Sequence, residues 1–268
     1  MTSVSRIFFA AFLVLLSFQS FANLLISPTR VVIDTNEKTM QVALVNDSDR
    51  PQTYRLEFEN KTVNEYGAFT KLDDKSVVGF NRADTMLRVS PRQVSLQPRE
   101  KQIIKLSLRR PRGLAAEEFR SYLKFVAIPP PVMLAAPDQA QATQLRMLMS
   151  FSIPVVVKNG APKSEVKITS LSKDAMAKEQ PFIVTLERAG SSSVFGNLKL
   201  YTQPDINNGK PVALLNEAAF YTDTTRRTFK LISMPDTKLS PNGLYKLVIE
   251  GVDKEKGIVL ASREISLK

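Results

Sequence analysis

From Leu24 onward, apolar residues alternate with polar ones or gather in short runs, and a period of two dominates the pattern. Residues 26–33, 40–45, 53–58, 86–89 and 103–108 read as strands. They are separated by Asn46-Asp47-Ser48-Asp49-Arg50-Pro51, Glu65-Tyr66-Gly67, Ser90-Pro91 and Gln97-Pro98-Arg99-Glu100, whose side chains and fixed dihedrals favour turns. Two more strands are predicted over residues 119–128 and 145–157. About seven strands before residue 160 fit a β-sandwich of the immunoglobulin type.

Asn159-Gly160-Ala161-Pro162 then interrupts the alternation, and Gly and Pro both disfavour a continuing ladder. Beyond it the same period resumes over residues 166–171, 182–187, 194–201, 212–215, 228–232, 244–250 and 258–265. The reading is an all-β chain of two tandem immunoglobulin-like β-sandwich domains, residues 23–158 and 163–268, joined by a linker at 159–162. The halves share no detectable sequence repeat, and no stretch after residue 22 supports a helix of three turns.

Residues 1–22 stand outside this pattern. Arg6 precedes an apolar run over residues 7–18, and Ser20-Phe21-Ala22 places small residues at the first and third positions of a cleavage triplet. That is a secretory signal peptide cut after Ala22, since the run is shorter than the roughly 20 residues a spanning helix needs. The exported chain is expected to carry no integral membrane segment.

Composition then removes most chemistries. The 268 residues contain no His, no Cys and no Trp. Catalytic triads built on imidazole, thiolate nucleophiles, zinc fingers, iron–sulfur ligand sets and disulfides are all excluded. Glycine-rich phosphate loops are absent, and adjacent Asp73 and Asp74 point apart in a strand or turn, so they cannot flank one glycosidic bond. No catalytic residue, metal site or cofactor is assigned. The formal charge is +11, of which the signal segment contributes only Arg6. The basic runs Arg109-Arg110-Pro111-Arg112 and Arg226-Arg227 lack interleaved aromatic platforms, so nucleic acid is not an expected partner. Such a surface steers acidic partners instead.

The stretch from Leu145 to Val157 is the most informative. Leu145, Met147, Met149, Phe151, Ile153, Val155 and Val157 fall on one face of a strand that would run roughly 40 Å, far beyond the usual five or six residues. One sandwich cannot cover that length. Either this is an ordinary core strand preceded by a loose apolar loop, or Leu145, Met147 and Met149 are exposed on an edge and complete another protein's core by β-strand addition. Methionine suits such a surface because its flexible thioether adapts to several shapes. The Pro- and Ala-rich segment over residues 129–142 reads as a long loop.

Four stretches now carry a resemblance: Ile26-Ser27-Pro28-Thr29-Arg30-Val31-Val32-Ile33 followed by Val42-Ala43-Leu44-Val45-Asn46; Val89-Ser90-Pro91-Arg92-Gln93-Val94-Ser95-Leu96-Gln97-Pro98; Arg120-Ser121-Tyr122-Leu123-Lys124-Phe125 leading to Ile128-Pro129-Pro130; and the alternating strand itself. In order and spacing the chain resembles the periplasmic assembly chaperones of the chaperone/usher pilus pathway, as a divergent branch. The resemblance implies a boomerang of two immunoglobulin-like domains that stabilises pilus or fimbrial subunits in the periplasm by donor-strand complementation and delivers them to an outer-membrane usher. It places Leu145, Met147 and Met149, continuing through Phe151 and Ile153, on the donor strand. It places Arg30 on the cleft arginine that anchors the subunit's terminal carboxylate, a role suited to a planar, permanently charged guanidinium. Where the family carries a second anchor, a lysine, this chain has Pro154. Lys158 and Arg120 are the leading replacements. The exposed edge also permits self-association of the free protein.

Two other readings fit the same architecture. A two-domain immunoglobulin-like surface or adhesive protein would keep the long strand paired internally. A carbohydrate-binding sandwich would normally show aromatic stacking platforms, and the absence of Trp counts against it.

Overall fold

The computed structural model describes residues 24–73, 80–129, 148–174, 176–177, 182–202, 210–235 and 243–266. The N-terminal part builds β1 (Leu25–Ser27), β2 (Val31–Ile33), β3 (Thr39–Val45), β4 (Gln52–Glu59), β5 (Lys61–Val63), β6 (Phe69–Lys71), β7 (Leu87–Ser90), β8 (Gln93–Leu96), β9 (Lys101–Leu108), β10 (Glu118–Ile128) and β11 (Phe151–Lys158). A four-stranded sheet, β1-β3-β9-β7, faces a five-stranded one, β2-β11-β10-β4-β8. The alternation read from the sequence places Val42, Leu44, Leu56, Ile104, Leu106, Leu123, Phe125, Val155 and Val157 in the single core between them. Each such side chain contributes on the order of 1.5–3 kcal/mol by leaving water.

The single strand expected over residues 26–33 is two strands in different sheets. β1 pairs with β3, while β2 runs parallel to β11 through Val31↔Val155, Val32↔Val156 and Ile33↔Val157. The chain crosses between the layers at Pro28, which has no N–H to donate to a ladder. Two features were not expected: β8, which presents only Val94 and Leu96 to the core, and the β5–β6 hairpin, whose three-residue strands are too short to show a period. The hairpin turns where Asn64 Oδ1 accepts from the Tyr66 and Ala68 N–H groups, with Gly67 at φ 90°, the left-handed region open to glycine.

The long strand is also corrected. Of residues 145–157, strand structure begins at Phe151; Leu148–Ser150 are described without it, and Leu145 and Met147 lie outside the described residues. Pairing of β11 with β10 starts at Phe125↔Phe151, although β10 itself continues to Ile128 against β4. Among the described residues upstream of Phe151, no neighbouring strand supplies a ladder, and periodicity alone does not make one.

The C-terminal part builds β12 (Ser164–Lys173), β13 (Phe182–Gly190), β14 (Val194–Thr202), β15 (Ala213–Phe220), β16 (Arg226–Ser233), β17 (Leu244–Gly251) and β18 (Val259–Ser266). Their order is β12-β13-β16-β15-β14-β17-β18, folded over a second core that contains Phe182, Val184, Leu186, Leu198, Leu200, Phe220, Leu231, Tyr245 and Leu247. At the seam between the end strands, Arg263 donates to the Ile168 carbonyl at 2.6 Å. Among the described residues no helix is long and apolar enough to cross a membrane.

The turn after β3 is held by one side chain. Asn46 is fully buried; its amide donates to the Arg50, Leu96 and Gln97 carbonyls, and its Oδ1 accepts from the Ser48 N–H and hydroxyl. Replacement by Ala removes all of these contacts from a buried position at once, and the Arg50 carbonyl keeps a second donor, the Ser48 hydroxyl. Asn46→Ala is expected to cost about 3 kcal/mol of stability, read as a lower urea midpoint with unchanged slope.

Candidate functional site

The two cores meet at a polar joint. Because side chains alternate along β10, Phe119, Leu123 and Phe125 enter the first core while Glu118, Arg120 and Tyr122 face the second sandwich. The second sandwich and the β5–β6 hairpin cover them: Glu118, Arg120 and Tyr122 are all buried, and Phe69 of the hairpin stands edge-on to Tyr122 at 6.0 Å between ring centres. Arg120 donates to Asp223 Oδ2 at 2.6 Å, both side chains 2% exposed, and the same oxygen accepts from the Val63 N–H at 2.7 Å and the Thr62 hydroxyl at 3.2 Å. Glu118 Oε2 accepts from the Ser193 N–H at 2.9 Å and its hydroxyl at 2.8 Å. Val63, Val156 and Tyr221 add a small apolar cluster, and Thr228 N–H donates to the Glu65 carbonyl of the β5–β6 turn at 2.7 Å.

Cations and rings alternate through this joint. Arg30 Cζ lies 4.0 Å from the Phe195 ring centre and 5.6 Å from that of Tyr221; Arg120 Cζ lies 3.9 Å from Tyr221 and 5.4 Å from Tyr122; Lys61 Nζ lies 5.3 Å from Tyr122. Desolvated contacts of this kind hold a cation against an aromatic face by electrostatic attraction. Burial pushes the Tyr122 phenol well above its ordinary range, and raises Tyr221 against the opposing pull of Arg30, Arg120 and Arg227. Burial also lowers Arg188 and Arg227, which donate to the Gly190, Ser192 and Ala219 carbonyls.

The residues singled out in the sequence separate here. Arg120 is corrected as an anchor for an outside carboxylate: its charge is already neutralised by Asp223, with both side chains closed off from solvent. Ile153 is corrected as a donor residue: at 5% exposure it belongs to the chain's own core, because it shares the inward face with Val155 and Val157. Phe151 is half-buried against that core. Upstream, Leu148 and Met149 are 49% and 44% exposed. Along the inward face the burial therefore falls from Val155 through Ile153 and Phe151 to Met149.

Arg30 and Lys158 come together. Arg30 precedes β2 by one residue, so it sits one rung before Val31↔Val155 and hence beside Pro154. One of its nitrogens donates to Ser193 Oγ at 3.2 Å, while Nε and Nη1 have no partner and are out of solvent. Among the described residues no carboxylate lies within ion-pairing distance of it. Its neighbours are committed: Arg120 to Asp223, Lys61 to Glu59 at 2.6 Å, and Lys254 to both Asp34 and Glu37. Lys158 and Arg30 border one groove of about 450 Å³ between the sandwiches, with Val32, Met40, Phe195 and Val252. The outer edge of β11 is covered by β2 only from Val155 to Val157, so among the described residues the backbone of Phe151–Pro154 is unpaired on that side.

Sequence reasoning missed Asp223, Tyr221, Glu118, Ser193, Phe195 and Lys61. One signal was available: Glu118-Phe119-Arg120-Ser121-Tyr122 places charged and aromatic polar residues on the second face of a strand whose first face is core, and such residues need partners when covered.

The fold is that of a two-sandwich, all-β protein. No family model matches the chain, and no curated protein matches it. Among solved structures, the YadV chaperone is 12% identical, with 91% of this chain and 100% of that chain covered at a TM-score of 0.49. The CsuC–CsuE chaperone–tip adhesion subunit pre-assembly complex, from archaic chaperone-usher Csu pili of Acinetobacter baumannii, is 13% identical with 92% and 98% covered at 0.47. The Salmonella enterica SafA pilin in complex with the SafB chaperone is 11% identical with 93% and 98% covered at 0.48.

The joint generates its own prediction. Asp223→Ala strands a buried guanidinium and is expected to cost about 3–5 kcal/mol, whereas Arg120→Met combined with Asp223→Leu should be the milder change. Guanidinium denaturation midpoints of the two variants check this.

Proposed function

We propose that this chain is a non-catalytic periplasmic chaperone for pilus or fimbrial subunits, delivering them to an outer-membrane usher. Residues 1–22 direct export. An incomplete subunit adds its last strand to the open edge of β11 at Phe151–Pro154, and the run from Leu145 through Met147 and Met149 to Phe151 fills the subunit's unfinished core. Backbone pairing satisfies an edge that is otherwise a liability, and burial of alternating apolar side chains drives association. Arg30 receives the terminal carboxylate at the end of that edge.

The observation that carries this reading is the combination at β11: exposed Leu148 and Met149, an unpaired backbone at Phe151–Pro154, and a cation at its end that lacks a counter-ion among the described residues. Family-like sequence stretches spread over residues 24–158 support the choice of partner class. With Arg120 neutralised by Asp223, Lys158 is the remaining candidate for the second anchor.

Co-expression with a small exported β-rich protein encoded beside this gene tests the reading. Met147→Asp and Met149→Asp are expected to abolish recovery of that protein while leaving the free chain folded, because a carboxylate cannot enter an apolar core unpaired. Arg30→Ala should weaken capture about 10- to 100-fold, the loss of one charge-assisted contact. Undiminished recovery with the Asp variants would remove the donor-strand role, and unaltered binding with Arg30→Ala would remove the anchor.

A further inference from the structure

The groove beside Arg30 holds more than a place for a carboxylate. Val32 of β2 and the flanking Arg30 and Asp34 line one groove on the side turned toward the second sandwich, while Val31 and Ile33 point into the first core. A partner strand added along Phe151–Pro154 would be collinear with β2 and would end at Arg30. Past that point the surface is apolar: Val32 from β2, Met40 from β3, Phe195 from β14 and Val252 before the short turn at Asp253–Glu255. All four are partly exposed, and the groove they share with Arg30 has about 450 Å³. Its charges sort themselves. Asp34 is held by Lys254, Asp253 and Glu255 sit exposed on the outer rim, and Lys158 and Arg30 remain as the cations nearest the apolar floor.

We propose that this groove takes the side chain of the partner's last residue and selects a large apolar one, such as Leu or Phe. The inference rests on the reading of Arg30 as the carboxylate anchor and specifies which chain ends it accepts. The chemistry is complementary: a chain end carries a negative carboxylate and one side chain on adjacent atoms, and the structure offers an uncompensated guanidinium next to an uncovered apolar hollow. An acidic last residue would bring a second negative charge against Asp253 and Glu255. A glycine would leave Val32, Met40 and Phe195 wet.

The test uses the purified chain and synthetic octapeptides of alternating Val and Thr that end in Leu, Phe, Gly or Asp, each as free acid and as amide, with affinity read by fluorescence anisotropy. The Leu and Phe acids are expected to bind about tenfold more tightly than the Gly and Asp acids, the change that burying most of an apolar side chain gives. Met40→Gln, which wets the groove without touching Arg30, should bring the Leu-to-Gly ratio toward one while the acid-to-amide ratio persists. Equal affinity for all four acids, with amides weaker, would overturn the groove and leave the anchor standing. Acids and amides alike would overturn the anchor, and with it the groove. Failure of every peptide to bind at millimolar concentration would overturn both.

Discussion

A guanidinium and a carboxylate, each removed from water, hold the two sandwiches in one relation. Taking both ions into a dry interface is costly, and their attraction offsets that cost only when geometry is good and the remaining lone pairs are used. Asp223 meets this condition on one oxygen, which receives Arg120, the Thr62 hydroxyl and the Val63 N–H together. Because Thr62 and Val63 belong to β5 and Arg120 to β10, two strands of the first sandwich are tied to one residue of the second. The position of the cleft, and hence of Arg30 and Phe195 relative to β11, follows from that tie.

The site is then a matter of what is left uncommitted. Buried and half-buried cations of the joint find a carboxylate or a set of carbonyls, and the rings of Tyr221 and Tyr122 space them apart. Arg30 stacks on Phe195 and touches only the neutral hydroxyl of Ser193, itself a donor to Glu118. Arg30 Nε and Nη1 are out of solvent and make no hydrogen bond, so part of the desolvation of this charge is already met by the fold. Pro154 beside it brings no charge.

The same constraint governs β11. Its inward face is apolar from Phe151 to Val157 and the alternation continues in sequence to Met149, yet Val155 and Val157 are sealed while Met149 is exposed, because pairing with β10 stops at Phe151 and β2 reaches only Val155. The row outlasts the sandwich that could cover it. The flexible thioether of Met149 lies at the exposed end, and β-branched valines lie at the covered end, where packing fixes their shape.

The sequence by itself determined the strand period, the residue types on hand for any chemistry, and the identity of the row from Leu145 to Val157, because each depends on residue type and on neighbours close along the chain. It could not divide residues 26–33 between two sheets or find the three-residue strands of the hairpin, since those depend on which backbone lies alongside. Nor could it say that Arg120 is already paired, that Ile153 is inside, or that Phe195 borders Arg30: these relations join residues across tens to more than 160 positions of chain, and a charge or a ring acquires its meaning only from what the folded surface puts within a few ångströms of it.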